Sequence, residues 1–116
     1  MKFGYRIVTD SKGRIQYKQR PGQKKHFQLA VFVDEPASVL DDIRMVEYQL
    51  HDTFREPLRH NDDRDSGFTE SFYTWGKFPI KVTVLFVDGR REQFVFNLEY
   101  SLPPDYGLNY IQVPVE

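Results

Sequence analysis

The feature of this chain that most constrains its fold is the alternation of apolar and polar residues with a period of two. It recurs in four segments, 27–33, 44–50, 80–87 and 92–100, which we predict to be the most regular strands. Side chains two residues apart lie on the same face of a strand, so each segment can bury one face. No long helical period competes with this pattern. We expect at most one helical turn, at 37–42, and fewer than a tenth of the residues in helices.

Turn signals separate these segments from shorter candidate strands near both ends of the chain. Between two of the long strands stand Asp88 and Gly89, which predict a two-residue type I′ turn with positive φ at both positions. The polar stretch 59–67 is predicted to be a loop, and Pro114 restricts the last candidate strand to a sheet edge. Seven or eight short strands predict one all-β domain, 1–116, built as an immunoglobulin-like antiparallel β-sandwich.

The apolar face of each long strand defines the expected core. In the segment 80–87 the inward face carries either Val82 and Val84 or Lys81 and Thr83, and polarity favours the valines. In a sandwich the loops gather at the two ends, where functional residues are concentrated. The residues expected to point inward are Leu29, Val31, Val46, Tyr48, Leu50, Val82, Val84, Phe94, Phe96 and Leu98.

Several kinds of site are excluded by composition and spacing. The chain has no Cys, so disulfides and Cys-based zinc sites are excluded, and its three His residues match no local metal-binding spacing. Asn61, Asp63 and Asp65 have the spacing of the first calcium ligands in an EF-hand, but the Gly and Glu that complete such a loop are missing. No nucleophile elbow is present. We therefore expect neither a metal nor a cofactor.

Charge and hydropathy restrict the partners. The chain carries 16 basic and 17 acidic residues and a net charge of −1, which argues against a protein that holds nucleic acid by charge alone. No apolar run approaches the ~18 residues of a membrane helix, and the first residues lack the apolar region of a secretory signal. We expect a cytoplasmic domain that contacts neither nucleic acid nor a membrane directly.

Two aromatic segments are the candidate functional regions. SFYTWGKFPI, residues 71–80, gathers four aromatic residues around a Gly and contains the only Trp of the chain. LHDTF, residues 50–54, also places an aromatic residue beside small polar groups. Core packing with loop anchoring accounts for both segments, and so does an aromatic surface displayed by two loops. Because Phe72 and Tyr73 lie where a strand ends, we expect at least one of them in the core.

The segment VEYQLHDTFREPLR, residues 46–59, resembles the signature of the YEATS domain family, in which a strand ending in Leu-His precedes a Ser or Thr, a Phe and a Pro. A second signature of that family is similar to Trp75-Gly76-Lys77-Phe78, although Thr74 stands where the family usually has Gly. The resemblance covers about residues 3–102 and looks most like a prokaryotic version of the family. The residues that match the first signature are Val46, Glu47, Leu50, His51, Thr53, Phe54 and Pro57, with Arg59 two residues on.

This resemblance implies an immunoglobulin-like sandwich that reads acylated lysine, above all acetyl- and crotonyl-lysine on histone tails. The partner would be an acylated lysine peptide or a related acylated ligand. The ligand-binding residues that it implies come from two loops: His51, Thr53, Phe54, Trp75, Gly76 and Phe78.

We expect these residues to line one groove at one end of the sandwich, because segment 50–54 follows one strand and segment 74–78 precedes another. The planar amide of the ligand would lie between Phe54 and Trp75, with the Thr53 hydroxyl and a backbone N–H of the second loop as polar partners. No catalysis is expected.

Two alternatives remain open on the sequence. The first is a protein-interaction or oligomerising sandwich that pairs through the edge at IQVPV, residues 111–115, and binds no acyl-lysine. The second is an enzyme, for which His51 and the Asp-rich turn are the motivation. The oligomeric state is not indicated by the sequence.

Overall fold

A computed structural model of the chain describes residues 1–115, in which nine strands account for most of the regular structure. One α-helical turn and one 3-10 turn are the only helical elements in that range, and they make up 6% of the residues, below the predicted tenth. The elements are β1 (Phe3–Ile7), β2 (Ile15–Lys18), β3 (His26–Val33), α1 (Ala37–Leu40), β4 (Ile43–Gln49), β5 (Leu58–Asn61), the 3-10 turn (Arg64–Ser66), β6 (Glu70–Thr74), β7 (Phe78–Phe86), β8 (Arg91–Leu98) and β9 (Tyr110–Gln112). No helix among the described residues is long and apolar enough to cross a membrane.

The strands form two sheets. In the first, β3 pairs with β1, β2 and β6, and β9 extends the sheet beyond β2. In the second, the order is β5-β4-β7-β8, and every pairing is antiparallel. The prediction of an immunoglobulin-like sandwich is confirmed. One pairing departs from the antiparallel rule, because β9 runs parallel to β2.

One hydrophobic core fills the space between the sheets. Leu29 and Val31 from the first sheet belong to the same buried cluster as Val46 and Val82 from the second. All of the expected inward residues belong to this cluster or pack against it, although Phe94 and Phe96 are only partly buried because β8 is the edge strand of its sheet.

The outer face of β7 is polar, as predicted, but it is not uniformly wet. Thr83 is buried, and its hydroxyl accepts a hydrogen bond from the Gln93 amide of the neighbouring strand at 3.4 Å.

Two local predictions are wrong. The stretch predicted as a loop at 59–67 contains strand β5 and the 3-10 turn, because residues 58–61 pair with β4 and leave both of their faces partly wet. The turn at Asp88–Gly89 has three loop residues instead of two. The Gly89 N–H donates to the Phe86 carbonyl and Gly89 alone has positive φ, which is the geometry of a type I turn followed by a left-handed residue.

A buried tyrosine fixes the loop between the 3-10 turn and β6. Phe68 is fully buried and has a φ of 57°, a strained value for a residue with a large side chain. The Tyr48 hydroxyl donates to the Phe68 carbonyl at 2.6 Å and so anchors this backbone to the opposite face of the core. Burial, reinforced by the negative charge of Glu70, raises the pKa of Tyr48.

The strand order brings two loops to the same end of the sandwich. Strand β4 ends at Gln49, which pairs with both Leu58 of β5 and Lys81 of β7. The loop 50–57 therefore lies beside the start of β7. Strand β6 ends at Thr74 in the other sheet, and residues 75–77 cross from it to Phe78.

Candidate functional site

The two loops enclose a cleft of about 630 Å³. This volume lies within the range of small-ligand sites in proteins. All six residues that the sequence suggested line it: His51, Thr53, Phe54, Trp75, Gly76 and Phe78. The structure thus brings together the residues of two segments more than twenty positions apart, while their role in ligand binding stays a prediction.

The first loop presents a hydrogen-bonded pair of side chains to the cleft. The Thr53 hydroxyl lies 2.8 Å from His51 Nδ1, and the Thr53 backbone N–H donates to the same nitrogen at 3.2 Å. The Asp52 carboxylate also lies 3.3 Å from Nδ1, and the tautomer of the ring sets whether the Thr53 hydroxyl donates to Nδ1 or accepts from it. In both arrangements the Thr53 oxygen keeps at least one lone pair for a donor on a ligand.

Three phenylalanine rings form the apolar wall of the cleft. The Phe54 ring centroid lies 5.5 Å from that of Phe72 and 5.4 Å from that of Phe78, and the last two are 5.9 Å apart. Phe72 is buried, as expected for at least one residue at the end of this strand. The mutual packing holds the half-buried Phe54 in place, so its exposed part is a fixed surface.

Trp75 is the most exposed aromatic ring of the cleft, with 56% of its surface accessible. Its ring contacts are not with Phe54. The Lys24 ammonium lies 4.3 Å from the ring centroid, so a cation–π contact occupies one face. The ring is displayed at the cleft, as a binding surface requires, and the lysine helps to fix its orientation.

Gly76 is not required by the fold at its position. Its φ lies outside the left-handed range, and a Cβ added to it would meet no atom within 4 Å. The space that a side chain would fill belongs instead to the cleft. Thr74 stands where the family that the sequence resembles usually has Gly. Its hydroxyl donates a hydrogen bond to the Gly76 carbonyl at 3.0 Å and accepts one from the Gly76 N–H at 3.3 Å, and these two bonds shape the turn.

The backbone N–H of Trp75 has no hydrogen-bond partner among the described residues, whereas that of Gly76 is engaged by Thr74. Of these two second-loop donors, the Trp75 N–H is therefore the one that a ligand carbonyl can reach without breaking an existing hydrogen bond.

Sequence reasoning missed the basic residues around the cleft. Four of them line it: Arg20, Arg55, Arg59 and Lys77. In addition, His26 lines the cleft and Lys24 covers Trp75. Arg55 and Arg59 flank the matched Pro57 and Lys77 stands inside the second matched segment, so these three could have been suspected. Arg20 comes from a segment that only the tertiary fold brings to this end.

Among residues 1–115, no group of three or more His, Cys, Asp or Glu side chains lies close enough together to hold a metal ion.

Comparison with known proteins gives one family and one fold. The family model of the prokaryotic YEATS domain matches residues 27–99. The structure of the Yaf9 YEATS domain recognizing an H3K122suc peptide is similar with a TM-score of 0.60 at 22% identity, over 84% of this chain and 67% of that chain. The Yaf9 YEATS domain bound to H3K27ac gives a TM-score of 0.60 at 21% identity, over 87% and 69%.

A further structure of Yaf9, described as a yeast AF-9 homolog, gives a TM-score of 0.55 at 24% identity, over 72% of this chain and 62% of that chain. No curated protein matches the chain. At these identities the structural likeness establishes the fold.

Proposed function

Because this chain belongs to the prokaryotic YEATS domain family, we propose that it is a binding module for an acylated lysine side chain, held in the cleft between the two loops. The observation that carries the proposal is the convergence of a displayed Trp75, an open Gly76 and a polar Thr53 on one cleft. Structures of the similar fold in Yaf9 are complexes with acylated peptides, which supports a ligand of this class here.

The acyl-lysine amide is planar and lies on an apolar stem, so it fits a narrow space between aromatic surfaces. In our proposal one surface is the Trp75 ring and the other is the Phe54 edge of the phenylalanine wall. Offset contacts between such flat groups contribute about 0.5–1.5 kcal/mol beyond simple burial. A crotonyl group is flat and unsaturated, and it would extend the stacked area beyond that of an acetyl group.

Two polar groups of the cleft can orient the amide. The oxygen of Thr53, which lies 2.8 Å from His51 Nδ1, accepts a hydrogen bond from the ligand N–H. The Trp75 backbone N–H donates to the acyl carbonyl. Both groups stand ready in the ligand-free domain, so binding costs little reorganisation.

Charge explains why an unmodified lysine is rejected. Its ammonium group would lose hydration on entering an aromatic cleft, which costs several kcal/mol, and a cation–π contact returns only about 0.5–2 kcal/mol. The basic residues that line the cleft add repulsion. Acylation removes the charge and with it both penalties.

Calorimetric titration with matched acetyl-lysine, crotonyl-lysine and unmodified lysine peptides tests the proposal. A small site of this kind is expected to bind acylated peptides with a dissociation constant on the order of 1 μM to 1 mM. The unmodified peptide is expected to give no measurable heat. Equal affinity for all three peptides, or no binding of any, would refute the proposal.

The proposal includes no catalytic step, since the contacts described need none. An enzyme is distinguished by product formation: hydrolysis of the acetyl- or crotonyl-lysine peptide that is lost in His51→Ala would replace binding by catalysis as the assigned function.

A second candidate function is self-association or protein binding through the β9 edge. This strand ends its sheet, and the loop before it exposes Tyr106 by 73% and Leu108 by 85%. An open edge beside exposed apolar side chains can pair with a strand of a partner. Sedimentation velocity at several concentrations tests this. A concentration-dependent dimer that is absent in Leu108→Glu would support self-association, and a monomer at every concentration would refute it.

A further inference from the structure

The charged side chains are distributed unevenly between the two ends of the sandwich. The end opposite the cleft includes the turn between β7 and β8 and the segments between β3 and β4 and between β5 and β6. The last two contact each other through the Arg64–Asp41 ion pair at 2.8 Å. These segments carry most of the clustered acidic residues: Asp34, Glu35, Asp41, Asp42, Asp62, Asp63 and Asp65. Lys2 and Arg64 pair with two of these carboxylates, those of Asp34 and Asp41, and the remaining acidic residues still outnumber the basic residues of these segments. The net charge of −1 for the whole chain therefore hides an uneven distribution of charge between the ends.

At the cleft, the lining formed by the described residues contains Arg and Lys side chains but no Asp or Glu. Arg59 is partly neutralised by Glu70 at 3.2 Å. Among residues 1–115, neither Arg55 nor Lys77 has a carboxylate within ion-pair distance. The nearby carboxylates of Asp52 and Glu56 are exposed and do not line the cleft.

The basic surface continues beyond the cleft. A second depression of about 210 Å³ shares Arg20, His26 and Tyr73 with the cleft and adds Lys18. The Lys18 ammonium lies 4.3 Å from the Tyr73 ring centroid. A chain that placed one side chain in the cleft would therefore have a basic path for its neighbouring residues. We call Lys18, Arg20, Lys24, Arg55 and Lys77 the basic rim.

We propose that the ligand of this domain is an acylated lysine within an acidic segment of a partner protein. The inference rests on the proposed function and adds the chemistry of the flanking residues. The cleft accepts the neutral acyl-lysine, and Asp or Glu residues on either side of it meet the basic rim. A basic flank, like that of a histone tail, would instead meet repulsion.

The size of the effect follows from the exposure of the rim. Exposed ion pairs each change affinity by a small factor, and two or three of them together predict roughly a tenfold preference for an acidic over a basic flank at low salt. Because these charges are exposed, salt screens them, and the preference should shrink at ~1 M salt, where the screening length is about 3 Å.

The test uses four peptides of equal length in calorimetric titration at low and at high salt. Three contain one acetyl-lysine flanked by Glu residues, by Gly and Ser, or by Lys residues, and the fourth has the acidic flank with unmodified lysine. We expect affinity to fall in the order acidic, neutral, basic, with no binding of the fourth peptide. Lys77→Glu should reduce the difference in affinity between the acidic-flanked and basic-flanked peptides. Arg44→Glu makes the same charge change at an exposed position of β4 at the far end and should leave the difference unchanged.

Any other result shows which of the two proposals, the acidic segment or acyl-lysine binding, is wrong. Equal or tighter binding of the basic-flanked acetyl peptide would overturn the acidic-segment inference and leave acyl-lysine binding standing. Failure of all acetylated peptides would overturn both. Equal binding of the unmodified acidic peptide would show that charge acts without acyl recognition, which also overturns both. A single-stranded DNA oligonucleotide that displaces the acidic peptide at lower concentration would assign the basic rim to nucleic acid and refute the inference.

Discussion

Replacement of Trp75 by alanine is expected to remove binding while costing little stability. The residue is 56% exposed, so 100 − 56 = 44% of its surface is covered in the fold. With a side chain that can bury about 250 Å², this corresponds to roughly 110 Å², or about 2.7 kcal/mol at ~25 cal/mol per Å². That value is an upper bound, because the unfolded chain also covers part of the ring and alanine retains Cβ. We expect the free energy of unfolding to fall by about 1–2 kcal/mol.

The matched control is Phe72→Ala, which truncates a neighbouring aromatic residue that is only 5% exposed. Removing a buried ring of this kind costs about 3–5 kcal/mol. Urea unfolding measures both variants against the parent domain, and calorimetric titration of Trp75→Ala with an acetyl-lysine peptide measures binding, which we expect to weaken at least tenfold. Two results would refute the reasoning. A loss of stability in Trp75→Ala equal to that in Phe72→Ala would place the ring in the core, and unchanged affinity would remove Trp75 from the site.

Three further predictions address the cleft and the core. Gly76→Val should change the free energy of unfolding by no more than about 0.5 kcal/mol, because neither its backbone nor its neighbours require glycine, yet weaken acyl-peptide binding in calorimetry; full affinity would show that this space is not used. Thr53→Val should weaken the same binding about 2–10-fold, the value of one hydrogen bond, while Thr53→Ser should retain it; equal loss in both would point to shape instead of the hydroxyl. Since the pKa of Tyr48 is raised by burial, the folded state keeps its proton after the unfolded state begins to lose it near pH ~10; stability is therefore retained below that pH and falls above it by up to about 1.4 kcal/mol per pH unit. Urea unfolding across alkaline pH should show a shallower fall for Tyr48→Phe than for Tyr106→Phe, a control on a 73% exposed ring, and identical slopes would contradict the assignment.

The long strands could be predicted from sequence because each buries one face and leaves the other wet. The period of two around Val82 and Val84 identified both the strand and its inward side, and both residues are fully buried. The short strand at 58–61 could not be predicted in this way, because it lies at a sheet edge and neither of its faces is fully buried. The prediction of a two-residue turn at Asp88–Gly89 was wrong because Asp-Gly is compatible with two-residue and three-residue loops. The Asp88 carboxylate favours the three-residue loop by accepting a hydrogen bond from the Arg90 N–H at 2.9 Å.

In the candidate site, too, the residues that belong to a local sequence pattern could be predicted and those that depend on tertiary contacts could not. Its aromatic and hydroxyl residues lie within two short segments, and the sequence could group them because LHDTF and TWGKF each carry a local pattern. The phenylalanine wall was only partly foreseen, since the contact of Phe54 with Phe72 and Phe78 depends on how the two sheets close over the core. The basic rim was not foreseen. Lys18 reaches this end through the pairing of β2 with β3, which no local pattern encodes, whereas Arg55 follows LHDTF and Lys77 lies within TWGKF, so both could have been grouped with the site.

The central claim, that the cleft binds acylated lysine, is tested most directly by following the indole N–H of Trp75 in a two-dimensional nitrogen–proton NMR spectrum. The chain has one Trp, so this group gives a single signal. We predict that Nε-acetyl-lysine with blocked termini shifts the indole signal and the backbone amides of Thr53 and Trp75 along one saturable curve, and that blocked unmodified lysine does not. Absence of any shift at these three groups with millimolar acetylated ligand, or identical shifts with the unmodified one, would contradict the account.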